Sequence, residues 1–422
     1  MRTARSERRL IQEQLDAIWR IESPKLIAGL TRMLRDVGRA EELAQDAFVA
    51  ALTQWPQEGI PRNPGAWLMT TAKRRAIDVI RREKTLEGKT EGIAADLQSQ
   101  DTASEFDTVN EEVSDDVLRL MFVACHPVLS AQARVALTLR LIGGLTTTEI
   151  ARAFLTSEPT IAQRIVRAKR TLTEARVPFE VPSGPERAQR LASVLEAIYL
   201  IFNEGYAATA GDDVLRPELV EDALRVGRIL AGLMPGEPEV NGLVALMELQ
   251  ASRMHARVRA DGSPILLLDQ DRRKWNRLLI TRGLASLERA RRLGGALGTY
   301  TLQASIAACH ARAATPDDTD WRAIAALYDA LGQVYPSPVV ELNRAVAVGM
   351  AFGPEAGLEI ADSLLEEPVL KAYHLLPSVR ADLLQKLGRL SEAAQEFDRA
   401  AALAQNARDK KFLLERAAEC RF

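Results

Sequence analysis

Residues Leu145–Leu172 read LTTTEIARAFLTSEPTIAQRIVRAKRTL. Thr146 and Glu149 have the spacing of a capping box and Leu145 can staple against Ile150, so a helix starts here and runs through about Phe154. Leu155, Thr156 and Ser157 then make a short turn. Ser157 caps a second helix whose first turn holds Glu158 and Pro159, where the missing N–H of proline is harmless. Ile161, Ile165, Ala168 and Leu172 recur at helical spacing as a buried stripe, which leaves Pro159, Thr160, Gln163, Arg167 and Arg170 on the far side. The pattern is a helix-turn-helix. Glutamine and arginine on such a face hydrogen-bond base edges in a major groove, while Thr160, Arg164 and Lys169 are better placed for phosphates or the helix boundary. Two short helices with a basic face also occur in bundles that never touch DNA, so the context of the motif decides its meaning.

Working outward, the segment Arg39–Arg82 reads RAEELAQDAFVAALTQWPQEGIPRNPGAWLMTTAKRRAIDVIRR. From Trp67 onward Leu68, Ala72, Ala76 and Ile80 form an apolar stripe, and Lys73, Arg74, Arg75, Arg81 and Arg82 fill the rest. Arg74 and Arg81, like Arg75 and Arg82, stand one heptad apart, so four guanidinium groups gather over two turns, with Asp78 between them to orient them. A solvated charged face is the plain alternative. Against it, Trp67 supplies an aromatic where unstacked bases favour aromatic and arginine platforms. Ahead of that helix, Ala40, Leu43, Ala44, Ala47, Phe48 and Ala51 form a second stripe whose opposite face carries Glu41, Glu42, Gln45 and Asp46. An acidic helix beside a basic one suits docking on a protein that is itself bound to DNA.

The run AEELAQDAFVAA followed by WLMTTAKRRAIDVIRR resembles region 2 of extracytoplasmic-function sigma factors, and the helix-turn-helix resembles their region 4. The resemblance implies that Glu41, Glu42, Gln45 and Asp46 bind the largest subunit of core RNA polymerase. It puts capture of the melting minus-ten element on Trp67, Lys73, Arg74, Arg75, Asp78, Arg81 and Arg82, and minus-thirty-five reading on Thr160, Gln163, Arg164, Arg167, Lys169 and Arg170. The chain departs from common family usage at Arg74, where asparagine is frequent, and at Pro159 and Gln163, where glycine and serine are.

Between the two regions, Leu86 to Asp116 carries ten carboxylates against Lys89 alone and few apolar residues, which predicts a solvated, largely disordered tether. The resemblance implies that it threads the polymerase; simple spacing of two reading heads explains it equally.

The chain is 422 residues long, too long for these two regions alone, and predicts two or three units. Its net charge of -2 makes it no electrostatic magnet for DNA as a whole, so promoter binding depends on the polymerase plus local basic patches. Cys125, Cys309 and Cys420 are far apart and odd in number, which argues for a reducing cytoplasm. No apolar run spans a bilayer, and MRTARSERRL has no apolar core for a signal peptide; its arginines read as a frayed, solvated lead into the first helix.

From about Pro185 the sequence is alanine- and leucine-rich, with helical stretches such as Pro217–Met234, Thr299–Arg312 and Pro338–Met350, and no strand-rich block. Gly353 and Gly388 are 35 residues apart, close to the period of tetratricopeptide helix pairs, and LGRLSEAAQEFDRAAAL has the matching small and large alternation. Within Ala197–Thr209, AIYLIFNEGYAAT, the polar Asn203, Glu204 and Tyr206 follow an apolar run. One reading is a buried helix capped by a left-handed Gly205; the other is a contact for a ligand or for the sigma core. Ser263–Trp275, SPILLLDQDRRKW, reads as a loop with an exposed apolar run. Cys125-His126 and Cys309-His310 look like paired ligands, but neighbours on a helix diverge by about 100° and no further ligand has zinc spacing. No phosphate loop or nucleophile elbow is present, so neither metal, cofactor nor enzymatic activity is expected.

The expected fold is therefore all-α: region 2 at 10–85, an acidic linker at 86–114, region 4 at 115–177, and a tetratricopeptide-like extension at 185–422. The whole order resembles the subfamily of these sigma factors with a long C-terminal extension. That resemblance implies a cytoplasmic, non-membrane protein whose partners are core RNA polymerase and promoter DNA, with the extension regulating it, by docking on the sigma domains or on polymerase. The alternative is a helix-turn-helix activator with a repeat sensor domain.

Overall fold

The computed structural model describes residues 2–86, 106–206, 215–259, 264–404 and 407–421, with side chains described only where burial is assigned. Among these residues every regular element is helical, and the one β pairing is an isolated antiparallel bridge between Val258 and Pro264. The chain divides into two compact units, Met1–Ile198 and Tyr199–Phe422.

The first unit is built on α1 (Arg2–Leu34), which at 33 residues is about 50 Å long. The helix begins at Arg2, so the basic N-terminus is part of it rather than a frayed lead. α1 packs against α2 (Val37–Glu58), α3 (Pro64–Leu86) and α4 (Phe106–Ala124). The spacing of its apolar residues explains why: Leu26, Ile27 and Leu30 are buried against Ala40, Ala44, Ala47 and Ala51 of α2 and Leu68, Ala72 and Ala76 of α3. Alanine predominates on α2 and α3, which lets the backbones approach closely. Asp36 caps α2 by accepting from the Arg39 N–H at 3.0 Å. The acidic stretch differs from its expected state in part: it is helical from Phe106 onward, and Asp116 is buried, held by Arg119 at 2.7 Å and by Arg32 at 3.4 Å. Two cations and a helical register with buried Val117 and Leu118 overcome its acidity.

After α4 come α5 (Ala131–Leu141), α6 (Thr147–Ala153), α7 (Glu158–Glu174) and α8 (Gly184–Tyr206). Arg190 of α8 donates to the Phe122 carbonyl at 3.1 Å, and Arg134 of α5 pairs with Glu196 at 2.8 Å. The second unit continues with α9 (Pro217–Leu233), α10 (Pro238–Ala251), α11 (Arg277–Arg292), α12 (Thr299–Arg312) and α13 (Trp321–Val334). It ends with α14 (Pro338–Phe352), α15 (Pro354–Ser363), α16 (Leu375–Lys386), α17 (Leu390–Leu403) and α18 (Ala407–Glu419).

Helices adjacent in sequence pack on one another through α14, α15, α16, α17 and α18, as stacked helix pairs do. Gly353 and Gly388, the two glycines 35 residues apart, have φ of 111° and 75°, and each ends one helix immediately before the next. Gly205 has a different role from the cap expected of it. It lies inside α8, and a Cβ there would stand 2.8 Å from the Val220 nitrogen, so the glycine admits the start of α9. The SPILLLDQDRRKW stretch forms two short 3-10 turns around Leu267–Asp269 and Arg272–Lys274, and its Trp275 is buried.

Candidate polymerase and nucleic-acid interfaces

The helix-turn-helix forms as its local chemistry dictates. Thr146 Oγ1 accepts from the Glu149 N–H at 3.1 Å while the Glu149 carboxylate accepts from the Thr146 N–H at 2.7 Å, completing the capping box of α6. Burial opposes ionisation of Glu149, but hydrogen bonds from the Thr146 backbone and hydroxyl and from Arg20 hold its carboxyl below the usual range. Ser157 caps α7, and Ile161, Ile165, Ala168 and Leu172 are all buried. Thr160, Gln163, Arg167 and Arg170 are exposed on the opposite face, and Arg164 and Lys169 flank it half-buried. Arg170 pairs with Glu174 at 3.0 Å. Val166, 63% exposed on the same face, escaped the sequence reading. Its position three residues after Gln163 was the available signal, because an exposed apolar side chain there suits contact with a thymine methyl.

On α3, Lys73, Arg74, Asp78 and Arg81 are exposed along one surface; the side chain of Arg82 lies outside the described residues. Trp67 is half-buried and meets Trp55 in a T-shaped pair with ring centroids 5.3 Å apart, so part of its ring is committed to the fold. Arg75 leans toward α2 and pairs with Asp46 at 3.5 Å, joining the acidic surface to the basic one.

The acidic surface is split. Glu42 and Asp46 are exposed and Gln45 is half-buried, but Glu41 is 2% exposed. Its carboxylate accepts from Gln45 Nε2 and from Arg140 Nε of α5, each at 2.5 Å, and pairs with Lys169 of α7. Arg140 also donates to the Leu145 carbonyl at 3.0 Å, which ties the pair to the turn before α6. A second link, Arg20–Glu149 at 2.8 Å, joins α1 to α6 and is about 40% exposed on both sides, so it contributes little. In this arrangement Glu41 is covered by α5 and α7, and Lys169 is engaged with a carboxylate. Arg140 gave no sequence signal, since a lone arginine on a leucine-rich helix reads as ordinary surface.

In the second unit, Glu204 pairs with Arg216, Asn203 is half-buried, and the Tyr199 hydroxyl donates to Gln303 Oε1 at 3.4 Å. Tyr206 is 8% exposed, stacked on Phe202 at 5.4 Å, and accepts at its hydroxyl from Arg253 at 2.9 Å. Among the described residues no group of three or more His, Cys, Asp and Glu could hold a metal, and no helix is long and apolar enough to cross a membrane.

Residues 18–85 match Sigma-70 region 2 and residues 119–172 match Sigma-70 region 4. The ECF RNA polymerase sigma factor SigK of Mycobacterium ulcerans is 30% identical over 148 residues, covering 34% of this chain and 75% of that protein. This chain belongs to the extracytoplasmic-function sigma factors. The probable ECF RNA polymerase sigma factor SigI of Mycobacterium tuberculosis is 27% identical over 222 residues, covering 51% of this sigma factor and 75% of that protein. An uncharacterized protein of Rhizobium meliloti is 44% identical over 391 residues, 92% of each chain. Residues 190–291 match DUF6596, a family of unknown function. The sigma factor therefore carries a C-terminal extension, acts in transcription initiation, and has the family's partners, core RNA polymerase and promoter DNA.

Proposed function

We propose that this sigma factor loads onto core RNA polymerase in the cytoplasm through the acidic face of α2, and that the second unit regulates that step. Glu42, Gln45 and Asp46 make the first contact. Glu41 joins them once α5 and α7 have moved off it. The basic surface of α3, with Trp67, Lys73, Arg74, Arg75, Asp78, Arg81 and Arg82, then captures the minus-ten element as it melts, guanidinium groups gripping phosphates and the aromatic receiving an unstacked base. Thr160, Gln163, Arg164, Arg167, Lys169 and Arg170 of α7 read the minus-thirty-five element from the major groove. On this reading 10–85 and 115–177 are the two promoter-binding parts and 185–422 the regulatory extension.

The observation that carries the proposal is the coexistence of two matched sigma regions, in order, with an exposed glutamine and arginine face on α7 and an acidic face on α2. Run-off transcription with purified core enzyme tests it. The wild-type chain should give discrete start sites and the double variant Glu42→Lys, Asp46→Lys should lose them together with comigration on core. Retention of holoenzyme assembly in that variant overturns the assignment of α2. A chain truncated after Ile198, which keeps the contacts of Arg190 and Glu196 with the rest of the first unit, should change promoter output if the second unit regulates; unchanged output removes the regulatory role.

A further inference from the structure

The two sigma regions leave the surface of α11 unassigned, and its charge is out of keeping with the rest of the chain. From Arg272 to Arg292 there are eight cations and one carboxylate, Glu288, in a protein whose net charge is -2. Packing turns most of that charge outward. Ile280, Gly283, Leu287 and Ala290 are buried, and Gly283 seats α11 closely on α10, since a Cβ there would stand 2.7 Å from Leu249 Cγ and 3.2 Å from the Ala245 carbonyl oxygen. With that face fixed, Arg277, Arg282, Arg289 and Arg292 are exposed on the opposite one. Arg282 and Arg289 stand one heptad apart with the small Ala285 between them, on a helix of 16 residues and therefore about 24 Å.

Two ordinary explanations fall short. A solvated surface of mixed charge is the first, and the later helices of this unit show what it looks like here: Arg344 pairs with Glu341 and Asp329, Arg380 with Asp362 and Glu396, and Arg389 with Glu392. Among the described residues none of the four exposed arginines of α11 forms an ion pair, and Arg282 acts on the Glu248 carboxylate only at longer range. The second is the helix dipole. It favours Arg289, Arg291 and Arg292 in the last turn, but it opposes Arg277, the first residue of the helix, and the first turn holds no acidic residue to offset that. Arg289 and Arg292, three positions apart, also repel each other. A helix that keeps four such cations uncompensated is matched by an anion from outside the molecule.

Duplex DNA fits that description best. It is a rigid polyanion with a charge about every 1.7 Å of its axis, so a row of cations on a rigid helix meets several phosphates at once. It is also at hand: the second unit begins at Tyr199, soon after the region 4 match ends at residue 172, and a region 4 seated on a promoter holds α11 at high effective concentration beside the neighbouring duplex. The exposed face carries no asparagine or glutamine after the Asn276 cap, and its remaining members are Leu278, Thr281, Ala285 and Glu288. Such a face holds phosphates in guanidinium forks and does not read a base sequence.

We infer that the exposed face of α11 is a further, sequence-independent DNA contact, through which Arg277, Arg282, Arg289 and Arg292 grip phosphates of the promoter duplex upstream of the minus-thirty-five element. The contact goes beyond regulation of polymerase loading, and duplex binding by the free chain is measured without polymerase, so either reading can fail alone.

The test uses the full chain and a fluorescent duplex of arbitrary sequence, with affinity followed by anisotropy over a series of salt concentrations. Replacing all four arginines by glutamine, a comparable helix former, should keep the helical circular dichroism, weaken binding at least about tenfold at low salt, and make the logarithmic salt slope shallower by about 2–4. The corresponding lysine variant keeps the charges and should retain most of the binding. Should the glutamine variant fail to fold, Arg282→Gln with Arg289→Gln decides, a several-fold loss supporting the contact and unchanged affinity overturning it. In holoenzyme, a promoter fragment extending upstream of the minus-thirty-five element should bind several-fold tighter than one ending there, and the glutamine variant should lose that difference; if start sites cannot be mapped, the free-chain arm decides alone. An unchanged salt slope in the folded glutamine variant, no preference of wild-type holoenzyme for the longer fragment, or displacement of the duplex by polyglutamate as effectively as by unlabelled DNA of equal charge overturns the inference, the last by marking α11 as a dock for an acidic protein.

Discussion

Glu41 shows how much a side chain's surroundings add to its sequence context. On α2 it is one of four polar residues on an acidic face, yet it is buried by Arg140 and Lys169, which come from 99 and 128 residues away. Pairings across such separations leave no trace in local spacing. Stripes do: Ile161, Ile165, Ala168 and Leu172 were readable because period 3.6 is a property of the helix itself. His310 illustrates a titration that only the fold creates. It sits edge-on to Trp321 at 5.2 Å, and its pKa falls from 6.5 to about 4. Between those values the unfolded chain binds the extra proton and the folded one does not, so stability falls as pH drops from about 6.5 to 4 and levels off below. Thermal melts across that range should show the slope, and His310→Phe should flatten it; an identical slope in the variant would assign the effect to other groups.

Helix boundaries on this chain follow caps and breakers closely. Thr146, Ser157 and Asp36 start helices where their side chains accept backbone N–H groups, and Pro217, Pro238 and Pro338 stand at first helical positions. What composition misjudged was the end of the acidic stretch, because a helix needs only one buried stripe and Val117, Leu118, Leu120 and Met121 provide it. Gly205 was misjudged for the opposite reason: its smallness serves a neighbouring helix, which no local pattern reveals. The same principle holds between α14 and α15. A Cβ on Gly357 would stand 2.6 Å from the Ala345 carbonyl oxygen and 2.8 Å from the Gly349 Cα, both backbone atoms that cannot turn aside. Gly357→Ala should therefore force the pair apart and cost about 1–3 kcal/mol, seen as a lowered denaturant midpoint; an unchanged midpoint would mean the crossing is slack.

The first unit holds both promoter-binding regions together, with α1 packed on α2 and α3 on one side and on α4 and α5 on the other. Its all-α class and two regions were readable from motif order, whereas the contact between them was not. The Glu41 cluster makes that contact electrostatically specific. In Lys169→Glu two carboxylates would face each other, so the closed arrangement should weaken and capture by core polymerase, measured without DNA, should rise several-fold. Equal or lower capture would show that uncovering Glu41 does not limit assembly. Gly144 offers the same contact a second handle. With φ of 69° it seats the turn before α6 directly on α1, where a Cβ would stand 3.0 Å from Ser23 Oγ and 3.1 Å from the Arg20 Cα. One methyl group at that position would act as a shim, so the seating of this turn on α1 hinges on a side chain that is not there.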